Sequence, residues 1–379
     1  MEHLGQAADR TAGGRKWVML LLLTLLYTCS FVDRQVIVFM VDPIRADLGI
    51  SDTEVGLLLG PAFAILFSIA TIPFGLMVDR VNRARLVGVG VSLWSLMTAG
   101  SGIVTSFLGL FVCRMGVGLG EAALTPAAHS LVSDLFPPRS RGLALSIYSA
   151  GVSLGAGLAA MIGGYVIKAA LGIGHVTLPL IGAVAPWQLV FLVIGLPGLL
   201  LAALMVWMGD PRHGLAQPTI SVRPGAKVAG TADAAAAYAT LILGVSLLAL
   251  FGYGVGAWLP TYFIRVHHVP VQTIGMAYGA GVILCGLPGN LLCGYASMLL
   301  IRRGRADAAH LLAVATGLLA FLFAGASVLA PTPALGMAAM FASWHSVRCG
   351  TERRRQRCRR LPRRARAAAS QRSICSDST

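Results

Sequence analysis

Four ionisable side chains, Asp33, Arg34, Arg114 and Glu121, stand within runs of otherwise apolar residues. A charge there costs several kcal/mol unless it is paired or wetted, which makes each one a functional candidate. A carboxylate in such surroundings can take up and release protons, because desolvation raises its proton affinity and a neighbouring guanidinium lowers it. An arginine can hold that carboxylate in one state and an anionic group of a solute in another. Counted from Trp17, Asp33 lies about 24 Å along a helix of about 36 Å; counted from Phe107 on an oppositely running helix, Arg114 lies about 10 Å below the same face. Glu121 follows Arg114 by two helical turns on one side of that helix. The four therefore form a column of acids and bases, read as proton-coupling or solute-binding groups. The alternative is a static buried ion-pair network that only fixes helix packing.

The apolar text around these groups defines the elements that carry them. Hydrophobic residues make up 56% of the 379-residue chain, charged residues 12%, and mean hydropathy is +0.76. A water-soluble domain needs far more surface charge, so the solvent is a bilayer. A spanning helix takes about 20 apolar residues to cross about 30 Å of hydrocarbon. Such runs cover 17–40, 55–77, 86–105, 107–131, 143–168, 189–208, 239–259, 274–300 and 309–330. A tenth starts near Leu335 and stops at about Trp344, too short to cross at about 1.5 Å per residue. The first run follows Arg10, Arg15 and Lys16 but lacks a small-residue cleavage site, and reads as a retained span.

With the N-terminus inside, the inner segments carry fourteen Lys and Arg and the outer loops three, Arg45, Lys168 and Arg265. That bias predicts a cytoplasmic N-terminus. The longest polar stretch, rich in Pro, Gly, Ala and Thr, reads as a flexible linker. The expected organisation is a cytoplasmic segment 1–16, a six-helix bundle 17–208, a cytoplasmic linker 209–238, an incomplete second bundle 239–345 of three spans and a partial one, and a basic tail 346–379. Net charge is +15, of which the tail supplies +9 through eleven Arg against two acids, so the body offers no footing for nucleic acid. The seven Cys are scattered without metal-ligand spacing, and no H-E-x-x-H or G-x-S-x-G site occurs. Neither metal, cofactor nor enzymatic chemistry is expected.

Between the second and third spans, Gly75-Leu76-Met77-Val78-Asp79-Arg80-Val81-Asn82-Arg83-Ala84-Arg85 resembles the G-x-x-x-D-R-x-G-R-R/K signature of major facilitator transporters. Asn82 stands for a Gly at a position expected to be left-handed. Gly75, Asp79, Arg80, Arg83 and Arg85 are then a charge-assisted latch for one conformation; a solvated positive-inside cluster is the alternative. Span 1 with its loop (Asp33-Arg34-Gln35, Pro43-Ile44-Arg45-Ala46-Asp47) and span 4 (Arg114-Met115-Gly116-Val117-Gly118-Leu119-Gly120-Glu121, then Asp134-Leu135-Phe136-Pro137-Pro138) resemble the Spinster-like branch over residues about 17 to 300. Trp258, Pro260, Tyr262 and Arg265 resemble that family's W-x-P-x-Y/F-x-x-R stretch. Tyr27, Tyr253, Trp258 and Asn290 are candidates for the cavity or outer mouth, with headgroup anchoring the competing role for Trp and Tyr.

The resemblance implies an all-α polytopic membrane protein with the major facilitator fold, here a six-helix N-terminal bundle and an incomplete C-terminal one. It implies proton-coupled, alternating-access transport of a small organic, amphipathic or lipid-like solute by a monomer in a bacterial inner membrane. Symport and antiport both stay open. The glycines of span 5 (Gly151, Gly155, Gly157, Gly163, Gly164) and span 8 (Gly279, Gly281, Gly286, Gly289, Gly294) suit helices that approach closely, whether they slide or stay packed. Where the family has twelve spans, the Arg-rich, Lys-free text after Trp344 predicts a shifted reading frame rather than a natural lipid-holding tail. A non-transporting scaffold or an inactive truncated fragment is the rival reading.

Overall fold

In the computed structural model, residues 2–173, 176–179, 182–211, 232–302 and 308–347 are described, and the helices follow the apolar runs closely. Helix α1 (Glu2–Val36) passes through a 3-10 turn (Ile37–Met40) into α2 (Val41–Leu48). Next come α3 (Asp52–Leu59), α4 (Pro61–Met77), α5 (Arg83–Ser101), α6 (Phe107–Glu121), α7 (Leu124–Leu135) and α8 (Pro138–Ile173). A short antiparallel hairpin, β1 (Val176–Leu178) with β2 (Gly182–Val184), leads to α9 (Pro186–Met208). The remaining helices are α10 (Ala232–Arg265), α11 (Val271–Arg302), α12 (Ala308–Leu329) and α13 (Pro333–Val347).

Among the described residues, six helices are long and apolar enough to cross a membrane: 14–48, 52–77, 107–135, 140–165, 186–208 and 246–265. α5 lies between two of them but reads less apolar, because Arg83, Arg85 and several Ser, Thr and Gly lower its hydropathy. α13 has 15 residues, about 22 Å of helix, and falls short of a full crossing. The expected tail from Arg348 onward lies outside the described residues, as does most of the expected linker.

Two expected spans are interrupted where proline demands it. Pro61 opens α4 after Gly60, and Pro126 sits in the first turn of α7, where its missing N–H would have no partner anyway. Between α6 and α7, Ala122 and Ala123 keep helical dihedrals, so the chain continues in direction while the hydrogen-bond ladder pauses beside Glu121. Asn82 does not adopt the expected left-handed turn. It is extended (φ −66°, ψ 111°) and caps α5, its side-chain oxygen accepting the Arg85 N–H at 2.9 Å.

The chain divides into two compact units, and each is described separately. The first holds residues 1–215 together with 257–283, so the far ends of α10 and α11 belong with the first six spans. Within it α1 lies along α8, α5 along α9, and α4 and α5 against α6. Leu23, Leu26, Val91, Trp94, Ala127, Leu131 and Met205 meet in its core. A Cβ on Gly90 would stand 2.6 Å from the Gly120 carbonyl, and one on Gly118 would collide with the Phe63 backbone, so α5, α6 and α4 touch backbone to backbone around the residue before Glu121. In the second unit α12 packs on α13, the Ser327 hydroxyl donates to the Gly336 carbonyl at 2.8 Å, and Phe251 meets Phe321 with ring centroids 5.7 Å apart.

Candidate functional site

α1 delivers Asp33 and Arg34 on consecutive residues, so their side chains diverge and reach different neighbours. Asp33 accepts hydrogen bonds from the Thr98 hydroxyl of α5 and from Arg114 Nη1 of α6, the latter at 3.1 Å. Arg34 pairs with Glu121 Oε2 at the end of α6, and the Ser30 hydroxyl, one turn earlier on α1, donates to the same oxygen at 2.7 Å. Asp33, Arg114 and Glu121 are all at most 2% exposed. The four candidates of the column thus form two ion pairs side by side, Asp33–Arg114 and Arg34–Glu121, tying α1 to α6 twice.

The pairs differ in their surroundings. Arg34 is caged by aromatic rings, its guanidinium carbon 4.1 Å from the Phe63 centroid, 4.7 Å from Phe31 and 5.2 Å from Phe67. Such faces hold a cation while leaving its hydrogen-bonding edge available. Glu121 Oε1 is buried without a hydrogen-bond partner among the described residues. An ionised carboxylate with one oxygen unsatisfied in a dry site is costly, and a proton or a donor from a solute relieves that cost. Tyr27, one turn before Ser30, stacks on the buried ring of Tyr148 in α8 at 4.5 Å.

Toward the Asp79–Arg85 end the latch residues separate. Gly75, Asp79, Arg80 and Arg85 are exposed, whereas Arg83 is fully buried. Its guanidinium forks onto Asp210, Nε to Oδ2 at 2.9 Å and Nη2 to Oδ1 at 2.5 Å, while Nη1 reaches Asp134 at 2.6 Å and Ser130 at 3.0 Å. The Arg83 backbone N–H also donates to Asp210, at 2.8 Å. Arg83 therefore clamps the start of α5 to α7 and to the chain just past α9. Sequence reasoning gave neither acid a role, although Asp210 is the one acid in Met208-Gly209-Asp210-Pro211-Arg212 and could have drawn attention.

At the opposite end Arg265 bridges two acids that sequence reasoning also passed over, Asp42 (Nε–Oδ1 2.8 Å) and Asp52 (Nη2–Oδ1 3.0 Å), with Arg45 3.5 Å from Asp52. Trp258 packs toward Gly56 of α3, where an added Cβ would meet its ring at 3.7 Å. Nearby, Gly164 of α8 and Gly275 of α11 meet so closely that a Cβ on Gly164 would lie 3.1 Å from the Gly275 Cα. Arg265 and these glycines close the end of the first unit where α1 leaves the apolar layer. Tyr253 is exposed and belongs to the second unit, and the Asn290 side chain lies outside those described.

The Major Facilitator Superfamily model matches residues 6–350, most of the chain. The chain belongs to the Major Facilitator Superfamily. Among solved structures this facilitator resembles a bacterial homologue of the human lysosomal transporter Spinster in an inward-facing, unoccupied conformation, with a TM-score of 0.71 and 31% identity over 89% of this chain and 74% of that one. It thereby sits with the Spinster-like members, and the all-α architecture with a six-helix N-terminal bundle agrees. Among curated relatives it is 28% identical over 76% of its length to an MFS-type efflux pump of Mycolicibacterium smegmatis, and 27% identical over 76% to a probable L-galactonate transporter of Escherichia coli. The facilitator spans 63% and 62% of the length of those two proteins.

Proposed function

We propose that this facilitator carries a small organic or amphipathic solute bearing an anionic group across a bacterial inner membrane by alternating access, coupled to protons. The observation that supports this best is the Arg34–Glu121 pair, with one buried carboxylate oxygen left unsatisfied among the described residues and the guanidinium caged by three phenylalanines. When Glu121 takes a proton it becomes neutral and its hold on Arg34 weakens, so the guanidinium can turn to the anionic group of a solute. Loss of the solute lets Arg34 return and the proton leave. The order of these events relative to the opening of each face sets symport or antiport. Asp33 and Arg114 form a parallel pair that answers to water at its own depth.

In this reading the Arg83 end faces the cytoplasm, in line with the positive-inside bias, and the Arg265 end faces outward. Gly75, Asp79, Arg80, Arg83 and Arg85 serve as the inner latch. Tyr27 lines the path beside Arg34, and Trp258 stands at the outer mouth. The protein works as a monomer among its lipids and needs neither cofactor nor metal. The test is flux in proteoliposomes with L-galactonate, the solute of one relative, among a panel of organic anions, with and without an imposed pH gradient. Gradient-driven accumulation lost in E121Q and D33N, with solute counterflow kept, is the expected result. Accumulation with unchanged gradient dependence in both variants refutes the coupling role, and absence of any flux across the panel favours a scaffold or inactive fragment.

A further inference from the structure

Between Glu121 and Asp134, His129 is the one titratable side chain on the α6–α7 segment, eight residues and about 12 Å beyond Glu121 toward the Arg83 end. It is half-buried, where Glu121 is sealed, so it is the more accessible group of the two. Its ring meets Tyr148 edge to face at 5.7 Å between centroids. The Tyr148 ring is 1% exposed and its hydroxyl is buried without a hydrogen bond among the described residues; Thr125 is within reach but not in hydrogen-bonding geometry, and Glu121 and Arg34 lie within electrostatic range. A phenol O–H buried without a partner is costly, so one that persists against a histidine and within electrostatic range of an acid invites a role in passing protons.

We propose that His129 is the proton-exchanging group that links Glu121 to water at the Arg83 end, with the Tyr148 hydroxyl as carrier between them. The inference rests on the role of Glu121 proposed above. In the transfer, the protonated imidazole gives its N–H proton to the Tyr148 oxygen while that hydroxyl gives its own proton to Glu121, each leg direct or through one water. Imidazole and tyrosine end neutral and the carboxylate ends protonated, so charge and protons balance. The hydroxyl then rotates back. Imidazole suits this station because its ordinary titration falls near neutral pH, between the sealed acid and the bulk. His129 meets Tyr148 from α8, with Tyr27 of α1 stacked behind it; Arg34 of α1 and Glu121 of α6 lie within electrostatic range of Tyr148, Arg83 of α5 bonds Ser130 next to His129, and Asp134 follows on the same helix, while α4 has no titratable side chain. The stack of Tyr27 on Tyr148 fixes the carrier ring, so only its hydroxyl needs to move.

The test uses the whole chain in lipid nanodiscs, with carbon-13 glutamate and nitrogen-15 histidine labels. The chain has four Glu and eight His, so the Glu121 and His129 signals are assigned by their loss in E121Q and H129Q. Removing the carboxylate charge lowers the proton affinity of His129 about three- to tenfold, and H129Q raises that of Glu121 by the same factor, as linkage requires. Proton exchange at Glu121, read by relaxation dispersion, slows about a hundredfold in H129Q and in Y148F. Ring-current-shifted Tyr signals report whether the Tyr27–Tyr148 stack survives, and H129N replaces H129Q if it does not. If Glu121 titrates but exchanges at the same rate in H129Q and Y148F as in the unaltered chain, the relay is overturned while the Glu121 reading stands. If Glu121 does not titrate between about pH 4 and pH 9, the Glu121 reading falls, and the relay with it.

Discussion

Replacing Asp210 by Asn perturbs the clamp at the Arg83 end in a way that can be reckoned from its geometry. Arg83 is fully buried and donates to Asp210 three times, through its backbone N–H, Nε and Nη2. The Asp210 side chain is itself 4% exposed, against 31% for Asp134. Breaking a buried pair by removing one partner typically costs about 3–5 kcal/mol, because a charge is left uncompensated. Asp134 still touches Nη1 at 2.6 Å, so the lower end, about 3 kcal/mol, applies to D210N. D134N weakens the Nη1 contact of Arg83 to a partly wetted acid and costs about 1 kcal/mol. At roughly 2–4 °C per kcal/mol for a unit of this size, D210N lowers the melting point in detergent by about 6–12 °C and D134N by about 2–4 °C. The assay is loss of the monomer peak after heating, followed by size-exclusion chromatography. R83M combined with D210N recovers part of the loss, since the orphaned charge is then gone. A drop for D134N equal to or larger than that for D210N refutes the assignment of Asp210 as the main partner.

Two further substitutions probe contacts made by other elements. G118A places a methyl against the Phe63 backbone and about 3.3 Å from the Phe67 N–H, so α6 and α4 must part; a loss of about 1–3 kcal/mol is expected in the same thermal assay. R265K keeps the charge but cannot span Asp42 and Asp52 with one planar fork, so cysteine labels on α2 and α10 at the closed end become reactive faster than in the unaltered chain, measured by maleimide modification.

The column was legible because charge in oil is rare: Asp33, Arg34, Arg114 and Glu121 announce themselves by type, and counting rises along two opposed helices put Asp33 and Arg114 at one depth, where they pair. That Arg34 turns to Glu121 was not legible, since it depends on helix rotation and on the three phenylalanine rings around it. Interfacial acids carry no such signal. Asp42, Asp52, Asp134 and Asp210 look like ordinary loop residues until non-local packing brings an arginine to each. Asn82 was misread for a related reason: glycine at that place in the family signature suggested backbone handedness, whereas here the side chain caps a helix. The apolar runs located the helices, but the pauses at Gly60 and Ala122 reflect proline placement that hydropathy averages over.

The membership of residues 257–283 in the first unit has a consequence for biosynthesis. A ribosome that has released everything up to residue 215 has inserted six spans but not the segment that completes them. Asp42 and Asp52 then await Arg265, and the glycine surface of α8 awaits α11. Synthesis must pass Ile283 before this unit holds all its own contacts, so the insertion machinery has to shelter a half-finished bundle across the entire intervening linker.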